Sequence, residues 1–135
     1  MLRVSKLADY GVIVLTKMAE NPLKQHSATK LAMLTGLNTP TIRKILKNLS
    51  KAGLLEARRG AEGGYVLLGD ISSISVLNII EAIDGPITFT ACCNEASINC
   101  DQFQHCQMVG YWQKINKKVK QSLASFPLNE LLNNE

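Results

Sequence analysis

The sequence is poor in aromatic residues and has no long apolar run. Phe, Trp and Tyr make up 5% of its 135 residues, although 46% of the residues are hydrophobic. A mainly aliphatic core suits packed helices better than a sheet sandwich, and the length suits a single domain. The longest apolar stretch, residues 11–15, is far too short to span a membrane, and the first six residues show no signal-peptide pattern. We therefore expect a cytoplasmic protein with no membrane partner.

Lys and Arg are absent from residues 66–113, which carry five acidic side chains. Residues 27–65, by contrast, hold seven basic side chains and two acidic ones. This separation of charge indicates a polyanion-binding face on one part of the chain, although a solvated charged surface can have the same composition. Histidine is also scarce, and neither His26 nor His105 stands in a nucleophile–base pattern. We expect no enzyme activity and no small-molecule substrate.

The first part of the chain carries start and stop signals for three helices, which we predict over residues 6–20, 28–35 and 40–52. Ser5 and Ser27 are the predicted caps of the first two helices. Thr39, followed by Pro40, is the predicted cap of the third. The short second helix, a turn that contains glycine and the third helix together form a helix-turn-helix pattern.

The third predicted helix is the candidate recognition helix of this pattern. One stripe of it is apolar and is expected to be buried: Ile42, Ile45, Leu46 and Leu49. The other faces can reach phosphates and base edges. Two short strands follow around the glycine-rich turn 60–64, at the position of a wing, although an ordinary tight hairpin would have the same pattern. The predicted DNA contacts, with the first two as candidates for the bases, are Thr41, Arg43, Lys44, Lys47, Arg58, Arg59, Gly63 and Tyr65.

Two further helices are predicted in the second half of the chain. Ser75 is the expected cap of a helix over residues 76–84, and a longer helix is expected from near His105 to about Ser125. The longer helix carries an apolar stripe at helical spacing: Met108, Trp112, Ile115, Val119 and Leu123. Such a one-sided helix is typical of an oligomerisation element, although packing back on its own domain would use the same stripe.

The four cysteines lie within fifteen residues, a cysteine segment (residues 92–106) that contains Cys92, Cys93, Cys100 and Cys106. Thiolates are the usual ligands of iron–sulfur clusters, whereas structural zinc sites more often have ligands paired two to four residues apart. The adjacent Cys92 and Cys93 are not expected to bind one cluster together, so we expect a fourth ligand of another kind. Candidates are His105 and Glu95 nearby, or Asp9 if a dimer brings the first helix close. The spacing leaves zinc and a thiol redox switch open as alternatives.

Several motifs resemble one family of regulators in both order and spacing. They are LRVSKLADY at residues 2–10, RGAEGGY at 59–65, IDGPI at 83–87, the cysteine segment and WQKIN at 112–116. Together with the helix-turn-helix they cover nearly the whole chain, and they resemble the iron–sulfur-dependent winged-helix repressors related to IscR and NsrR. The chain looks most similar to the subgroup that regulates Suf cluster-assembly genes.

The resemblance implies a homodimer that is joined through the last helix and represses transcription from a palindromic double-stranded DNA operator. It also implies a recognition helix in the major groove and a wing in the minor groove. Each subunit is then expected to bind one iron–sulfur cluster, 2Fe–2S or 4Fe–4S. The implied thiolate ligands are Cys100, Cys106 and one of Cys92 and Cys93, with Cys92 favoured.

The sequence departs from IscR-like members at two positions. Those members supply a histidine three residues after the last cysteine, where this chain has Val109. NsrR-like members instead supply an aspartate from the first helix of the other subunit, so the resemblance implies Asp9 as the fourth ligand, before His105. Arg43 also stands where IscR-like members carry a glutamate that screens operators, which implies a different operator preference.

These observations predict a mainly α-helical fold with a small β-hairpin, that is, a winged helix-turn-helix followed by a long C-terminal dimerisation helix. We divide the chain into a DNA-binding domain (1–85), a cysteine-rich cluster-binding loop (86–106), the dimerisation helix (107–125) and a frayed tail (126–135).

Overall fold

The computed structural model describes residues 3–60, 63–93, 101 and 104–132. In these residues the elements follow the chain in this order: α1 (Lys6–Ala19), α2 (Ala28–Thr35), α3 (Thr39–Lys51), β1 (Leu55–Arg58), β2 (Gly64–Leu67), α4 (Val76–Asp84), a 3-10 turn (Ala91–Cys93), α5 (Tyr111–Ala124) and α6 (Leu128–Leu131). The described part is mainly helical with a two-stranded antiparallel hairpin, which confirms the predicted fold class. None of the helices in these ranges is long and apolar enough to cross a lipid bilayer.

Side-chain caps fix where most of the helices begin. The Ser5 hydroxyl accepts a hydrogen bond from the Ala8 backbone N–H, and the Ser27 hydroxyl accepts one from that of Lys30. These bonds satisfy N–H groups that the first turn of a helix leaves without a partner. The Ser75 side chain caps α4 in the same way, so all three serine caps are confirmed.

The predicted cap of α3 is wrong by one residue. Thr39 is the first residue of the helix, and the cap is Asn38, whose Oδ1 accepts a hydrogen bond from the Thr41 N–H at 2.9 Å. Asparagine is a better cap than threonine, and Asn38 has the extended backbone that a cap requires. Pro40 then falls within the first turn, where its missing N–H costs no helical hydrogen bond.

The core lies where α1, α3 and α4 pack against one another. Its fully buried aliphatic side chains include Val14, Leu15, Leu31, Ile42, Ile45, Leu46, Leu49 and Ile79. The apolar stripe predicted for α3 is therefore buried at every position, and each such side chain stabilises the fold by roughly 1.5–3 kcal/mol. At the edge of this core the Ser5 hydroxyl donates to Asp84 at 2.7 Å, which joins the start of α1 to the end of α4.

The last long helix is shorter than predicted. It begins at Tyr111 rather than near His105, because Gly110 has a φ of 91°, outside the range of a right-handed helix. Met108 therefore lies in a turn and not on the helix, although the other four members of the predicted apolar stripe remain on α5.

The tail is ordered over its described part, contrary to the predicted fraying. Leu128 at the start of α6 is fully buried in the core, and Leu131 and Leu132 pack against that core. The Leu128 N–H donates to the Ile74 carbonyl oxygen at 2.7 Å. These contacts hold the part of the chain after α5 against the core.

Candidate DNA-binding face and cysteine site

The polar side of α3 is accessible to solvent. Arg43, Lys44 and Lys47 are exposed, and Thr41 is half-buried near the start of the helix. Residues three and four apart are neighbours on a helix surface, so the three cations form one continuous patch. Because the opposite side of α3 is buried, the backbone that carries this patch is held in a fixed position.

A pair of backbone hydrogen bonds anchors the wing to the loop before α2. The His26 N–H donates to the Tyr65 carbonyl oxygen, and the Tyr65 N–H donates to the His26 carbonyl oxygen, each at 2.8 Å. The two segments approach so closely that a Cβ on Gly64 would collide with the His26 carbonyl oxygen. Glycine is therefore required at position 64 by close approach of two backbones. The contact holds the wing beside the helix-turn-helix.

The hairpin is buried at one end and exposed at the other. Leu55 pairs with Leu67 at the buried end, and Arg58 pairs with Gly64 near the tip. The Arg58 guanidinium lies 3.7 Å from Glu56, but both side chains are more than half exposed. An exposed pair of this kind adds little stability, so Arg58 can exchange its partner for a phosphate.

The other predicted wing contacts differ in their surroundings. Arg59 is exposed, and the Gly63 N–H donates to the Gly60 carbonyl oxygen at 3.0 Å. Tyr65 is half-buried and packs against the core, and this packing anchors the wing. Contact of Arg59, Gly63 and Tyr65 with DNA stays a prediction.

Two further basic residues lie around the start of α2. Lys24 and Lys30 flank the cap Ser27, and the neighbouring Lys30 side chain lowers the pKa of Lys24. Two like charges that interact repel each other, which favours the neutral form of Lys24. Lys30 belongs to the basic block of residues 27–65, and Lys24 lies just before it. Both lie beside the cap of a helix, where the backbone N–H groups favour anions.

The described cysteines lie in two places. Cys92 is buried and Cys93 half-buried in the 3-10 turn, and the Thr90 hydroxyl lies 3.0 Å from the Cys92 Sγ and 3.4 Å from the Cys93 Sγ. Cys106 is half-buried, and its Sγ accepts a hydrogen bond from the Met108 N–H at 3.4 Å. These three cysteines are free thiols.

Two opposing effects act on the Cys93 thiol. Burial raises the pKa of Cys93, but hydrogen bonds from the Thr90 side chain and from the backbone of Thr90 and Phe89 together favour the thiolate more strongly. The pKa of Cys93 therefore lies below its ordinary value. A thiolate is the form that binds metals and attacks electrophiles.

The predicted metal ligands do not converge within the described part of one chain. Among those residues, no three His, Cys, Asp or Glu side chains form a group that could hold a metal ion. Asp9 is exposed on α1, and His105 is exposed in the turns before α5. Cys100 and Glu95 lie outside the described residues. The thiols suit an iron–sulfur cluster chemically, because thiolates are the usual ligands of such clusters.

A basic, accessible helix in second place of a helix-turn-helix, followed by a hairpin held beside it, defines a winged-helix DNA-binding protein. The sequence profile of the Rrf2 family, described as an iron-dependent transcriptional regulator, matches residues 4–134. The chain belongs to this family of transcriptional regulators.

Individual relatives agree with this assignment. IscR of Klebsiella pneumoniae is 27% identical over 137 residues, which cover 99% of this chain and 82% of that protein. The structure of CymR, the global cysteine regulator of B. subtilis, matches with a TM-score of 0.76 at 26% identity, over 98% of each chain. The structure of T. potens IscR matches with a TM-score of 0.68 at 29% identity, over 98% of this chain and 87% of that one. These similarities confirm the predicted relation to IscR and the expectation of a transcription regulator rather than an enzyme.

Proposed function

We propose that the chain is a cytoplasmic repressor of iron–sulfur cluster assembly genes. It binds a palindromic operator as a homodimer, and it senses iron–sulfur or redox status through a cluster held by the cysteine segment. The basic face of α3 beside an anchored wing is the observation that supports the DNA-binding half. The sensing half is supported by the closely spaced cysteines and by the relation to IscR.

The DNA-binding half depends on charge and on two-fold symmetry. A homodimer presents two copies of α3 to major-groove half-sites about one helical turn apart. Phosphate contacts from Lys44, Lys47 and the wing arginines supply much of the affinity, and Lys24 and Lys30 add charge at the start of α2. Thr41 and Arg43 contact base edges. Binding therefore weakens steeply as salt rises, because each phosphate contact releases counterions.

A salt titration of DNA binding tests this half. We expect Lys44→Ala to reduce the slope of log affinity against log salt by about 1 and to weaken binding to all sequences alike. Fluorescence anisotropy measures both, with a labelled duplex selected from a random-sequence library. Lys118→Ala removes the same charge from the exposed side of α5 and is the matched control. Equal slopes for the two variants would contradict the proposed interface.

The sensing half assigns ligands from two subunits. Cys92, Cys100 and Cys106 supply thiolates, with Cys93 as the alternative to Cys92, and Asp9 of the partner subunit supplies a carboxylate. When bound, the cluster supplies a centre that responds to oxidants and to iron–sulfur status. Ligands on α1 of one chain and on the cysteine segment of the other connect the two DNA-binding parts. The spacing of the two recognition helices then depends on whether the ligands are engaged.

Anaerobic purification tests the sensing half. We expect visible absorbance with matching iron and acid-labile sulfide in the full chain, and loss of both in Cys106→Ser. Asp9→Ala should shorten the lifetime of the absorbance in air while the far-ultraviolet circular dichroism stays unchanged. Glu20→Ala, at the other end of α1, is the control and should keep the wild-type lifetime. A wild-type lifetime for Asp9→Ala would contradict the assignment of that ligand.

A thiol redox switch without a cluster is the second candidate. It is favoured by the arrangement of Cys92 and Cys93, whose sulfur atoms both contact the Thr90 hydroxyl. A colourless, iron-free protein that stays so after reconstitution would support this candidate, provided that its DNA affinity changes on oxidation and reverses on reduction. The same result would contradict the cluster and leave the DNA-binding half intact.

A further inference from the structure

Three hydrogen bonds to side chains of α4 and α5 hold the cysteine turn, which we define as residues 87–93. The Ile87 N–H donates to the Glu81 carboxylate at 3.1 Å. The other two bonds come from α5: the Phe89 N–H donates to the Asn116 Oδ1 at 3.1 Å, and the Gln113 Nε2 donates to the Cys92 carbonyl oxygen at 3.0 Å. The second bond from α5 ends on the peptide unit that joins the two adjacent cysteines.

Asn116 occupies an unusual position for a polar side chain. Among the residues of α5, all of which the structure describes, it alone is buried, with 8% of its surface exposed. Burying an amide is unfavourable unless its polar atoms are hydrogen-bonded, and here its oxygen accepts the bond from Phe89. The helix therefore presents a buried polar group to the cysteine turn.

Gln113 lies on the same side of α5, three residues before Asn116. Its amide holds the backbone of Cys92, the buried cysteine, while the Thr90 hydroxyl contacts the sulfur atoms of both adjacent cysteines. The peptide between the two cysteines carries the Cα atoms of both, so its position contributes to where their sulfur atoms lie.

α5 is in turn joined to α4 through Glu81. The same carboxylate accepts from the Ile87 N–H and forms an ion pair with Lys120 of α5 at 3.3 Å. Since α4 packs against α3, one continuous set of contacts runs from the cysteine turn to the recognition helix.

We propose that Gln113 and Asn116 are positioning residues that fix the cysteine turn to α5, so that the geometry of the two adjacent thiols and the position of the helix change together. The coupling to sensing rests on the proposed function, because it requires that the regulator responds to a change at the thiols. The attachment of the turn to α5 does not require the proposed function. Both residues belong to the WQKIN motif at 112–116.

Thiol alkylation of the reduced, metal-free full chain measures the attachment directly. Gln113→Glu keeps the shape of the side chain but replaces the donor with a carboxylate that faces the Cys92 carbonyl. Because the loss of one hydrogen bond favours local opening, we expect iodoacetamide to modify Cys92 about three- to tenfold faster. Cys106, outside the turn, is the internal reference, and mass spectrometry of the two peptides gives the ratio of rates.

Matched variants separate positioning from general loosening. Gln121→Glu makes the same change at an exposed site on α5 and should keep the wild-type ratio. Asn116→Leu removes the acceptor and should raise the ratio of the Cys92 rate to the Cys106 rate. Asn116→Asp keeps an acceptor for the Phe89 N–H, so its ratio should equal that of the wild type. A ratio that stays at the wild-type value in Gln113→Glu and Asn116→Leu would overturn the proposal. An equal increase for Cys92 and Cys106 would also overturn it, because it would indicate general loosening of the fold.

Cluster spectroscopy on the same variants keeps this inference separate from the proposed function. If the wild-type protein takes up iron and sulfide, we expect Gln113→Glu to shift the visible circular dichroism spectrum of the cluster and Gln121→Glu to leave it unchanged. An unshifted spectrum in Gln113→Glu would overturn the coupling to sensing. Where wild-type protein takes up none, a raised alkylation ratio still supports the attachment of the turn, and only the cluster assignment fails.

Discussion

The helix-turn-helix with its wing and the cysteine turn are stabilised by different kinds of contact. The first, which we call the winged-helix head (residues 6–84), has a core of fully buried aliphatic side chains and helices that begin at side-chain caps. The cysteine turn buries Cys92 and is held by hydrogen bonds from Glu81, Gln113 and Asn116. One region is maintained by the hydrophobic effect and the other by a few polar groups.

This difference suits the two tasks that the proposed function assigns to the two regions. A recognition helix has to keep its shape, because its side chains must meet phosphates and base edges in register. A sensing segment has to change without unfolding the rest, so it belongs to the part of a structure that opens locally at low cost. Substitutions in the two regions should therefore differ in size and in the measurement that detects them.

The largest effect is expected in the core of the winged-helix head. Leu46 is fully buried in α3, so Leu46→Ala should lower the free energy of unfolding by about 2–5 kcal/mol, through lost burial and a cavity. Urea denaturation followed by circular dichroism measures it. Leu23→Ala is the matched control, because Leu23 is 97% exposed, and it should change stability by no more than about 0.5 kcal/mol. Similar losses for both variants would contradict a core centred on α3.

The attachment of the wing should be the next most sensitive feature. Gly64→Ala places a Cβ against the His26 carbonyl oxygen, so the backbone must shift beside the pair of hydrogen bonds between His26 and Tyr65. We expect a loss of about 1–3 kcal/mol in stability and weaker DNA binding. Gly63→Ala is the comparison, since its Cβ would lie 3.3 Å from the Gly60 carbonyl oxygen. If Gly63→Ala lowers stability more than Gly64→Ala, the close approach of the His26 carbonyl oxygen is not the reason why position 64 requires glycine.

The cap of the recognition helix provides a smaller, local effect. Asn38→Ala removes the acceptor for the Thr41 N–H and should lower stability by about 1 kcal/mol. Thr39→Ala tests the cap that the sequence pattern favoured, and we expect a loss below about 0.5 kcal/mol, because that residue lies inside the helix. Thermal denaturation of the two variants decides between them, and a larger shift in melting temperature for Thr39→Ala would restore threonine as the cap.

The contrast also explains how much of the structure could be predicted from the sequence. Three helices of the winged-helix head are capped by Ser5, Ser27 and Ser75. A cap acts on N–H groups two or three residues away, so this signal can be found in the local sequence. The buried stripe of α3 follows from helical spacing alone. In the tail, Leu128, Leu131 and Leu132 also have helical spacing, which is consistent with a short buried helix. Their Asn and Glu neighbours make this pattern hard to recognise.

The cysteine turn could not be predicted in this way. Gln113 and Asn116 contact residues 21 and 27 positions earlier in the chain, and no local pattern indicates such pairs. The sequence pattern predicts too early a start for α5, because Met108 continues the apolar spacing. The helix begins only after Gly110, whose backbone is not helical. The role of Asp9 depends on a second subunit, so it stays a prediction.

The smallest effect is expected where the two regions meet. The ion pair between Lys120 and Glu81 is about one-third exposed on the lysine side, so screening by water and salt limits its contribution. Lys120→Met keeps the apolar stem, removes the charge and leaves Glu81 to accept from Ile87. We expect stability to fall by about 0.5 kcal/mol or less in low salt, and by nothing measurable in high salt.

Denaturant titrations at two salt concentrations measure this effect, with Lys118→Met as the control for loss of one charge from an exposed position on α5. The outcome bears directly on how separate the two regions are. If Lys120→Met lowered stability as much as Asn38→Ala and did so at both salt concentrations, the winged-helix head and α5 would unfold as one cooperative unit joined through Glu81. A small, salt-sensitive loss leaves α5 and the cysteine turn able to shift while the recognition helix keeps its shape.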